Sequence, residues 1–197
     1  MDETITAAEI SPHAADLALA QAMLKRDRKA AAEFVQRFSD SVARYVRSRL
    51  APRWEHVDDI VQETFLTGLR SIHNYRGDSP MNGWLLGIAR HKVEDHYREL
   101  VRGCAVPEDV LDIEVVEDPG FDGLLDREAA EERIREILKA MPEHYRAALS
   151  WRYWEQRPAA EMAELTGRSV KSIERILARA RIEFAQRWRS QTREATV

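Results

Sequence analysis

Apolar residues recur at helical spacing through most of the chain, and this periodicity constrains the fold more than any other feature. In residues 28–50 they follow one another at steps of three and four, as on one face of an amphipathic helix. Those residues are Ala32, Val35, Phe38, Val42, Tyr45, Val46 and Leu50. The sequence shows neither strand-like alternation nor an internal repeat. It therefore predicts an all-α chain.

The same pattern predicts further helices over residues 57–70 and 81–100, separated by a turn that contains Gly77 and Pro80. Their inward-facing residues are predicted to be Val61, Phe65, Leu69, Leu85, Ile88, Ala89 and Val93. Gly68 should weaken the first of them by about 1 kcal/mol relative to alanine.

Helices resume at Leu125. Pro142 is predicted to open a helix that carries Ala147, Leu149, Trp151 and Trp154. A short helix with Pro158 in its first turn then ends at Gly167, and Ser169 opens a longer one. The apolar stripe of that last helix is predicted to be Val170, Ile173, Leu177, Ala180 and Phe184.

An acidic segment divides the chain. Residues 101–132 carry 11 acidic and 2 basic side chains, whereas residues 133–197 carry 8 acidic and 14 basic ones. Glycine, proline and acidic residues concentrate in 101–124, which is typical of a linker between domains. The predicted organisation is an arm at 1–21, a helical domain at 22–100, an acidic linker at 101–124, a second helical domain at 125–193 and a tail at 194–197.

Composition and motifs argue against several classes of protein. No apolar run approaches the ~20 residues of a membrane helix, and the acidic N-terminus is unlike a secretion signal. One cysteine, Cys104, fits a reducing cytoplasm and is expected to be inert, with redox sensing as the alternative. There is neither a phosphate-binding glycine loop nor HExxH, and His91 and His96 are poorly spaced for a metal. We therefore expect no enzyme, no cofactor and no metal.

The last two predicted helices, with a glycine between them, have the layout of a helix-turn-helix. Lys171, Arg175 and Arg179 lie opposite its apolar stripe, and residues 168–193 hold 8 basic and 2 acidic side chains. DNA binding is the favoured interpretation. The alternative is a plain helical hairpin with a solvated basic face.

Two other clusters are open to a structural and a functional interpretation. Asp58, Asp59, Gln62 and Glu63 share the polar side of the helix at 57–70, where acids either complement the helix dipole or form a docking face. From the residues alone, the dipole interpretation is preferred. The helix at 81–100 mixes aromatic residues with cations, which suits single-stranded nucleic acid or simple core packing.

Three segments in this order resemble a bacterial sigma factor of the two-domain extracytoplasmic-function class (group 4). They are DDIVQETFL (58–66), YRGDSPMNGWLLGIARHKVEDHYREL (75–100) and MPEHYRAALSWRYWEQRPAAEMAELTGRSVKSIERILARAR (141–181). The resemblance covers roughly residues 22–190 and implies a region 2 and a region 4 domain joined by a linker.

The resemblance implies roles for three groups of residues. Asp58, Asp59, Gln62 and Glu63 would dock the β′ clamp helices of RNA polymerase core, which replaces the dipole interpretation. A second group would melt and read the −10 promoter element, with one base flipped into a pocket: Tyr75, Arg76, Trp84, Arg90, His91, Lys92 and Arg98. A third would read the −35 element as duplex: Arg168, Ser169, Lys171, Ser172, Glu174, Arg175 and Arg179.

Two positions depart from the family pattern. His91 stands where asparagine is frequent, which affects the preferred −10 base, and Glu174 stands where a basic residue is common. The expected function is that of an alternative sigma factor with core polymerase and promoter DNA as partners. An anti-sigma factor is a further candidate partner. The other functions considered are a stand-alone helix-turn-helix regulator and a helical adaptor.

Overall fold

The computed structural model describes residues 13–51, 54–105 and 127–194, and the regular structure in these ranges is entirely helical. The predicted all-α class is confirmed. The α-helices are α1 (Ala14–Leu24), α2 (Arg28–Leu50), α3 (Val57–Ser71), α4 (Met81–Gly103), α5 (Arg127–Ala140), α6 (Glu143–Leu149), α7 (Ala159–Thr166) and α8 (Val170–Glu194). A 3-10 turn, Ile72–Asn74, follows α3.

Some predictions fall outside the described residues. These are the predicted linker from residue 106 onward, residues 1–12 of the predicted arm, and residues 195–197 of the predicted tail. The rest of the arm belongs to α1, and α4 continues past the predicted end at residue 100 to Gly103.

Contacts divide the chain into two compact units, and the boundary lies between Val93 and Glu94, inside α4. The first unit contains α1 to α3 and the N-terminal part of α4. The second unit contains the C-terminal part of α4 and α5 to α8. The domain limits predicted from sequence, 22–100 and 125–193, stay predictions.

The core of the first unit is built on α2, whose buried residues repeat strictly every four positions: Ala30, Phe34, Phe38, Val42, Val46 and Leu50. The predicted stripe was wrong at Ala32 and Val35, which are exposed, and it omitted the fully buried Phe34. The Phe34 ring packs edge-on against the rings of Phe38 and Phe65, with 5.6 Å between centroids in each pair. These contacts set which side of α2 turns inward.

Helix α3 packs closely on its neighbours at Gly68. A Cβ atom there would lie 3.0 Å from Leu85 Cδ1 and 3.3 Å from Phe34 Cζ. The glycine therefore permits a close approach of helices in addition to lowering helix propensity. Of the predicted inward residues of α3, Phe65 is buried while Val61 and Leu69 are half-buried.

In the portion of α4 that belongs to the first unit, every fourth residue is buried: Met81, Leu85, Ala89 and Val93. Three of the four predicted inward residues are therefore confirmed, and Ile88 is half-buried. The opposite side of the helix stays accessible for the polar residues considered below.

The core of the second unit joins α5, α6 and α8. Its cluster consists of Ile137, Leu138, Met141, Leu149, Ala180 and Phe184. Helix α6 ends at Leu149 and a π-helical turn, Ser150–Trp154, follows, in which the N–H of Glu155 donates to the carbonyl of Ser150 at 3.1 Å. The residues predicted to share this helix are therefore all helical, but its last turn is π-helical. In that turn Trp151 is buried and Trp154 is 62 % exposed.

Two details at the ends of α7 and α8 also differ from expectation. Pro158 lies at the position before α7, not inside its first turn. Val170, the first residue of α8, is exposed, whereas Ile173, Leu177, Ala180 and Phe184 of the predicted stripe are buried. Among the described helices, none has both the length and the apolar character needed to cross a bilayer.

Candidate protein and nucleic-acid interfaces

An acidic face runs along the outer side of α3. Asp58, Asp59, Gln62 and Glu63 are all exposed, and together they define what we call the acidic face. The inner side of the same helix is buried at Ile60, whose carbonyl accepts the hydroxyl of the buried Thr64 at 2.7 Å. The fold therefore presents the four predicted side chains together on one surface.

The acidic face reaches α4 through one ion pair. Glu63 Oε2 lies 3.2 Å from Lys92 Nζ, and the Lys92 side chain is 26 % exposed. Lys92 was predicted to contact DNA and Glu63 to contact protein. Their pairing means that a change at either residue alters the charge that the other presents.

The turn before α4 is organised by two aromatic residues. Tyr75 is buried, its hydroxyl donates to the carbonyl of Ser79 at 2.7 Å, and its ring lies 5.5 Å from the half-buried ring of Trp84. Burial, with a smaller effect of the Asp16 carboxylate, raises the pKa of the Tyr75 hydroxyl. Tyr75 therefore serves as a wall of the turn, while Arg76 beside it is exposed.

The polar side of α4 carries the remaining residues predicted for the −10 element. Arg90 and His91 are exposed and adjacent. Arg98 forms an ion pair with Asp95 on the preceding turn of the helix, so its charge is partly balanced.

The helix-turn-helix is confirmed as a structural motif. Gly167 ends α7 with a positive φ of 70°, and the N–H of Arg168 donates to the carbonyl of Ala163 at 3.0 Å. This is the bond pattern of a Schellman C-cap, in which glycine is favoured for its left-handed backbone. Ser169 Oγ then accepts from the N–H of Ser172 at 3.1 Å, as an N-cap does.

On the face of α8 predicted to contact duplex DNA, side-chain exposure is greatest near the N-terminus of the helix. Lys171 and Glu174 are exposed, whereas Arg175 and Arg179 are half-buried. Ser172 is half-buried and accepts a hydrogen bond from Arg168 Nη1 at 3.1 Å.

Arg168 has partners within the second unit that the sequence did not suggest. Its Nη2 atom donates to the carbonyl of Arg102 at 2.6 Å and also to that of Cys104, at the end of α4. Carbonyls at a helix C-terminus lack partners inside the helix, and a cation there is favourable. A DNA phosphate would have to replace these carbonyls to be bound by Arg168.

Cys104 is buried, with 3 % of its surface exposed. Burial raises the pKa of the thiol, although Arg168 and Arg179 act in the opposite direction. A protonated, buried thiol reacts slowly, which favours the expectation that Cys104 is inert.

Sequence reasoning missed two residues that join distant segments. Arg157 binds both Glu94 of α4 and Glu161 of α7, and the hydrogen bond to Glu94 is the main reason that the pKa of Arg157 is raised. Asp16 of α1 is buried and accepts the backbone N–H of Met81 at 2.9 Å. One sequence signal pointed to Asp16, since it is the lone charged residue of the mostly apolar α1 segment AADLALAQAML.

The two halves of the chain match two family models. Sigma-70 region 2 matches residues 34–103, and Sigma-70, region 4 matches residues 131–183. The chain is 28 % identical over 172 residues to RNA polymerase sigma factor NccH of Alcaligenes xylosoxydans xylosoxydans, which covers 86 % of this chain and 92 % of that protein. It is 28 % identical over 184 residues to the ECF RNA polymerase sigma-E factor of Salmonella typhimurium, with 87 % and 93 % covered.

A solved structure of CnrH in complex with the cytosolic domain of CnrY is similar to 89 % of this chain and 98 % of that chain. The identity is 24 % and the TM-score is 0.40.

Proposed function

This chain belongs to the sigma-70 family, in its extracytoplasmic-function group, and we propose that it binds RNA polymerase core through the acidic face and promoter DNA through α4 and α8. It is an alternative sigma factor for transcription initiation. Sigma factors direct RNA polymerase and generally have no catalytic activity, and we propose none for this chain.

The acidic face is suited to a basic protein surface. Its four side chains are exposed on one side of a helix whose other side is fixed in the core, so binding a partner requires no rearrangement of α3. Complementary charge accelerates association and selects the partner. We assign this face to the clamp helices of the polymerase β′ subunit.

Helix α4 is suited to single-stranded DNA. Arg90 and His91 are exposed on its polar side, and the turn before it carries the exposed Arg76 and the buried Tyr75, whose ring packs on the half-buried Trp84. Cations that follow phosphates and an aromatic ring that contacts a base are the usual components of such sites. We assign the opened −10 element to this surface, with His91 influencing which base is preferred.

Helix α8 is suited to duplex DNA. It is the second helix of a helix-turn-helix with capped ends, and its first turns present Lys171, Glu174 and Arg175. Cations reach guanine edges or phosphates, and a carboxylate accepts from cytosine N4. We assign the −35 element to this helix.

The main support for the proposal is that one chain carries both an acidic face suited to a protein partner and cationic surfaces suited to DNA. A stand-alone helix-turn-helix regulator has no need of the acidic face on α3, and a helical adaptor has no need of the aligned cations on α8. Since it would act on DNA together with polymerase, we propose that the protein works in the cytoplasm. An anti-sigma partner stays an expectation from the family resemblance.

Run-off transcription with bacterial core polymerase tests the proposal. The template is a promoter library randomised at the −10 and −35 elements, and transcripts are sequenced with and without the full chain. We expect transcripts that depend on the chain and that share both elements. Duplex binding without any dependent transcript would instead identify a stand-alone regulator.

A further inference from the structure

The residue at the N-cap position of α4 cannot cap the helix with its own side chain. The carbonyl of Pro80 accepts from the N–H of Trp84 at 3.1 Å, which places Pro80 at the N-cap position. Proline has no side-chain oxygen with which to cap a helix. The N–H of Met81 has no acceptor inside the helix, and Met81 is fully buried. An acceptor must therefore come from elsewhere in the chain.

Asp16 supplies that acceptor from α1. Its Oδ2 atom lies 2.9 Å from the N–H nitrogen of Met81, and its Oδ1 atom lies 3.0 Å from Nη2 of Arg37 on α2. Asp16 is only 7 % exposed. A carboxylate is favourable at a helix N-terminus, where the backbone dipole is positive. The ion pair with Arg37 orients the carboxylate toward the start of α4.

The next residue of α1 fixes the turn that leads into α4. Gly77 has a φ of +78°, and a Cβ atom there would lie 2.7 to 2.8 Å from three side-chain atoms of Leu17. Leu17 therefore packs directly against the backbone of Gly77. Asp16 and Leu17 thus contact the segment that leads into α4 at two positions, Met81 and Gly77.

We propose that α1 is part of the −10 reading element and that Asp16 is a positioning residue for it. This inference rests on the proposed role of α4 in binding the −10 element. The segment held by α1 carries Arg76 and leads into Trp84. A pocket for a flipped base needs walls of fixed geometry, and here α1 fixes them. Asp16 does not touch DNA. It acts through the first turn of α4 and the turn before it.

The test uses holoenzyme assembled from core polymerase and the full chain, on promoters randomised at the −10 element only. The variants are Asp16→Ala, which removes the acceptor, Asp16→Asn, which keeps an acceptor oxygen, and Leu17→Ala, which removes the contact with Gly77. The matched control is Asp27→Ala. Asp27 caps α2 in the same unit by accepting the N–H of Lys29 at 2.8 Å. The melting temperature of each protein is recorded beside the enriched −10 sequences.

We expect Asp16→Ala to reduce the enrichment of the most favoured over the least favoured −10 base by up to about tenfold, because a first turn whose buried N–H has lost its acceptor no longer fixes the walls of the pocket. Leu17→Ala should act in the same direction, whereas Asp16→Asn should retain most of the preference. Asp27→Ala should lower the melting temperature without changing the preference.

Unchanged −10 preference in Asp16→Ala and Leu17→Ala would overturn the inference, and so would an equal loss of preference in Asp27→Ala. If Asp16→Ala does not fold, the other two variants test the inference, since both leave an acceptor for the N–H of Met81. Leu17→Ala must then reduce the −10 preference while Asp16→Asn retains most of it. If the wild-type holoenzyme transcribes without enriching any −10 sequence, the proposed role of α4 itself is wrong. If the wild type enriches a −10 sequence and all variants enrich it equally, only the inference about α1 is wrong.

Discussion

Helices α4 and α8 are the two helices assigned to DNA, and their N-termini are held in opposite ways. The first N–H of α4 is accepted by Asp16, which lies 65 residues earlier. The N-terminus of α8 is capped by Ser169, three residues before the N–H that it accepts. Helix α4 therefore depends on the packing of its whole unit, while the start of α8 is specified by its own sequence.

The polar sides of α4 and α8 differ in the same way, because their hydrogen-bond and ion-pair partners come from different distances along the chain. Lys92 of α4 pairs with Glu63 of α3, at 3.2 Å, whereas Ser172 of α8 accepts from Arg168 four residues away. A substitution in α1 or α3 should therefore disturb α4. Replacing Ser169 or Ser172 should affect mainly α8, whereas Arg168 also contacts the carbonyls at the end of α4.

The largest effect should come from reversing charge on the acidic face. The double substitution Asp59→Lys and Glu63→Lys should weaken binding to core polymerase about 10- to 100-fold, because it turns attraction into repulsion at an interface. It should also leave Lys92 facing a like charge, and so disturb α4. Duplex binding through α8 should stay unchanged.

Binding to labelled core polymerase by fluorescence anisotropy measures this effect. The control is Glu33→Lys with Asp40→Lys, two exposed acids of α2 that give the same change in net charge. Equal loss of core binding in both double variants would mean that net charge, and not the acidic face, determines affinity.

A smaller effect is expected from single residues of α8. If Arg175 or Lys171 reaches a guanine edge, its replacement by alanine should cost about 1–3 kcal/mol at one base pair and relax specificity there. Arg179→Ala should instead weaken binding to all sequences alike and reduce the salt slope by about 1. Glu174→Ala should bind non-specific duplex more tightly, since a carboxylate repels phosphate.

Duplex binding of the full chain over a salt series distinguishes these cases. The comparison of a selected −35 sequence with a scrambled one separates base contacts from phosphate contacts. Unchanged affinity and slope in all four variants would mean that α8 does not touch DNA.

The smallest effect concerns the local cap. Ser169→Ala should lower the free energy of unfolding of the second unit by about 1 kcal/mol, which is typical of losing an N-cap. Ser169→Asp should restore stability, because aspartate is also a good N-cap residue. Urea unfolding followed by tryptophan fluorescence measures both. A −10 preference that changes with Ser169→Ala would contradict the separation of α4 from α8.

Features that depend on neighbours in sequence were predictable. The limits of α2, the glycine turn at Gly167 and the cap at Ser169 follow from periodicity, backbone preference and side-chain chemistry within a few residues. The acidic face was visible as well, because the exposed side of α3 is set by helical spacing.

Features that depend on distant residues were not predictable in the same way. Apolar residues occur around much of α2, so only the packing of Phe34 against Phe65 decided its inner face and turned Val35 outward. The partners of Asp16 and Arg157 lie 65 and 63 residues away, and no local pattern announces them. Of the −10 group, Tyr75 was assigned to DNA by the family resemblance, and the structure buries it in the turn that it closes.

The bond between Asp16 and Met81 also bears on the order in which the protein folds. Closing a loop of this length costs chain entropy before the contact repays it, and non-local contacts form slowly for that reason. During synthesis α1 leaves the ribosome first and cannot cap α4 until the residues around Met81 have followed. The start of α8 needs no such delay, since Ser169 and Ser172 emerge almost together. Helix α8 therefore completes its first turn as soon as it forms, and α4 acquires its final geometry only when the two ends of its unit meet.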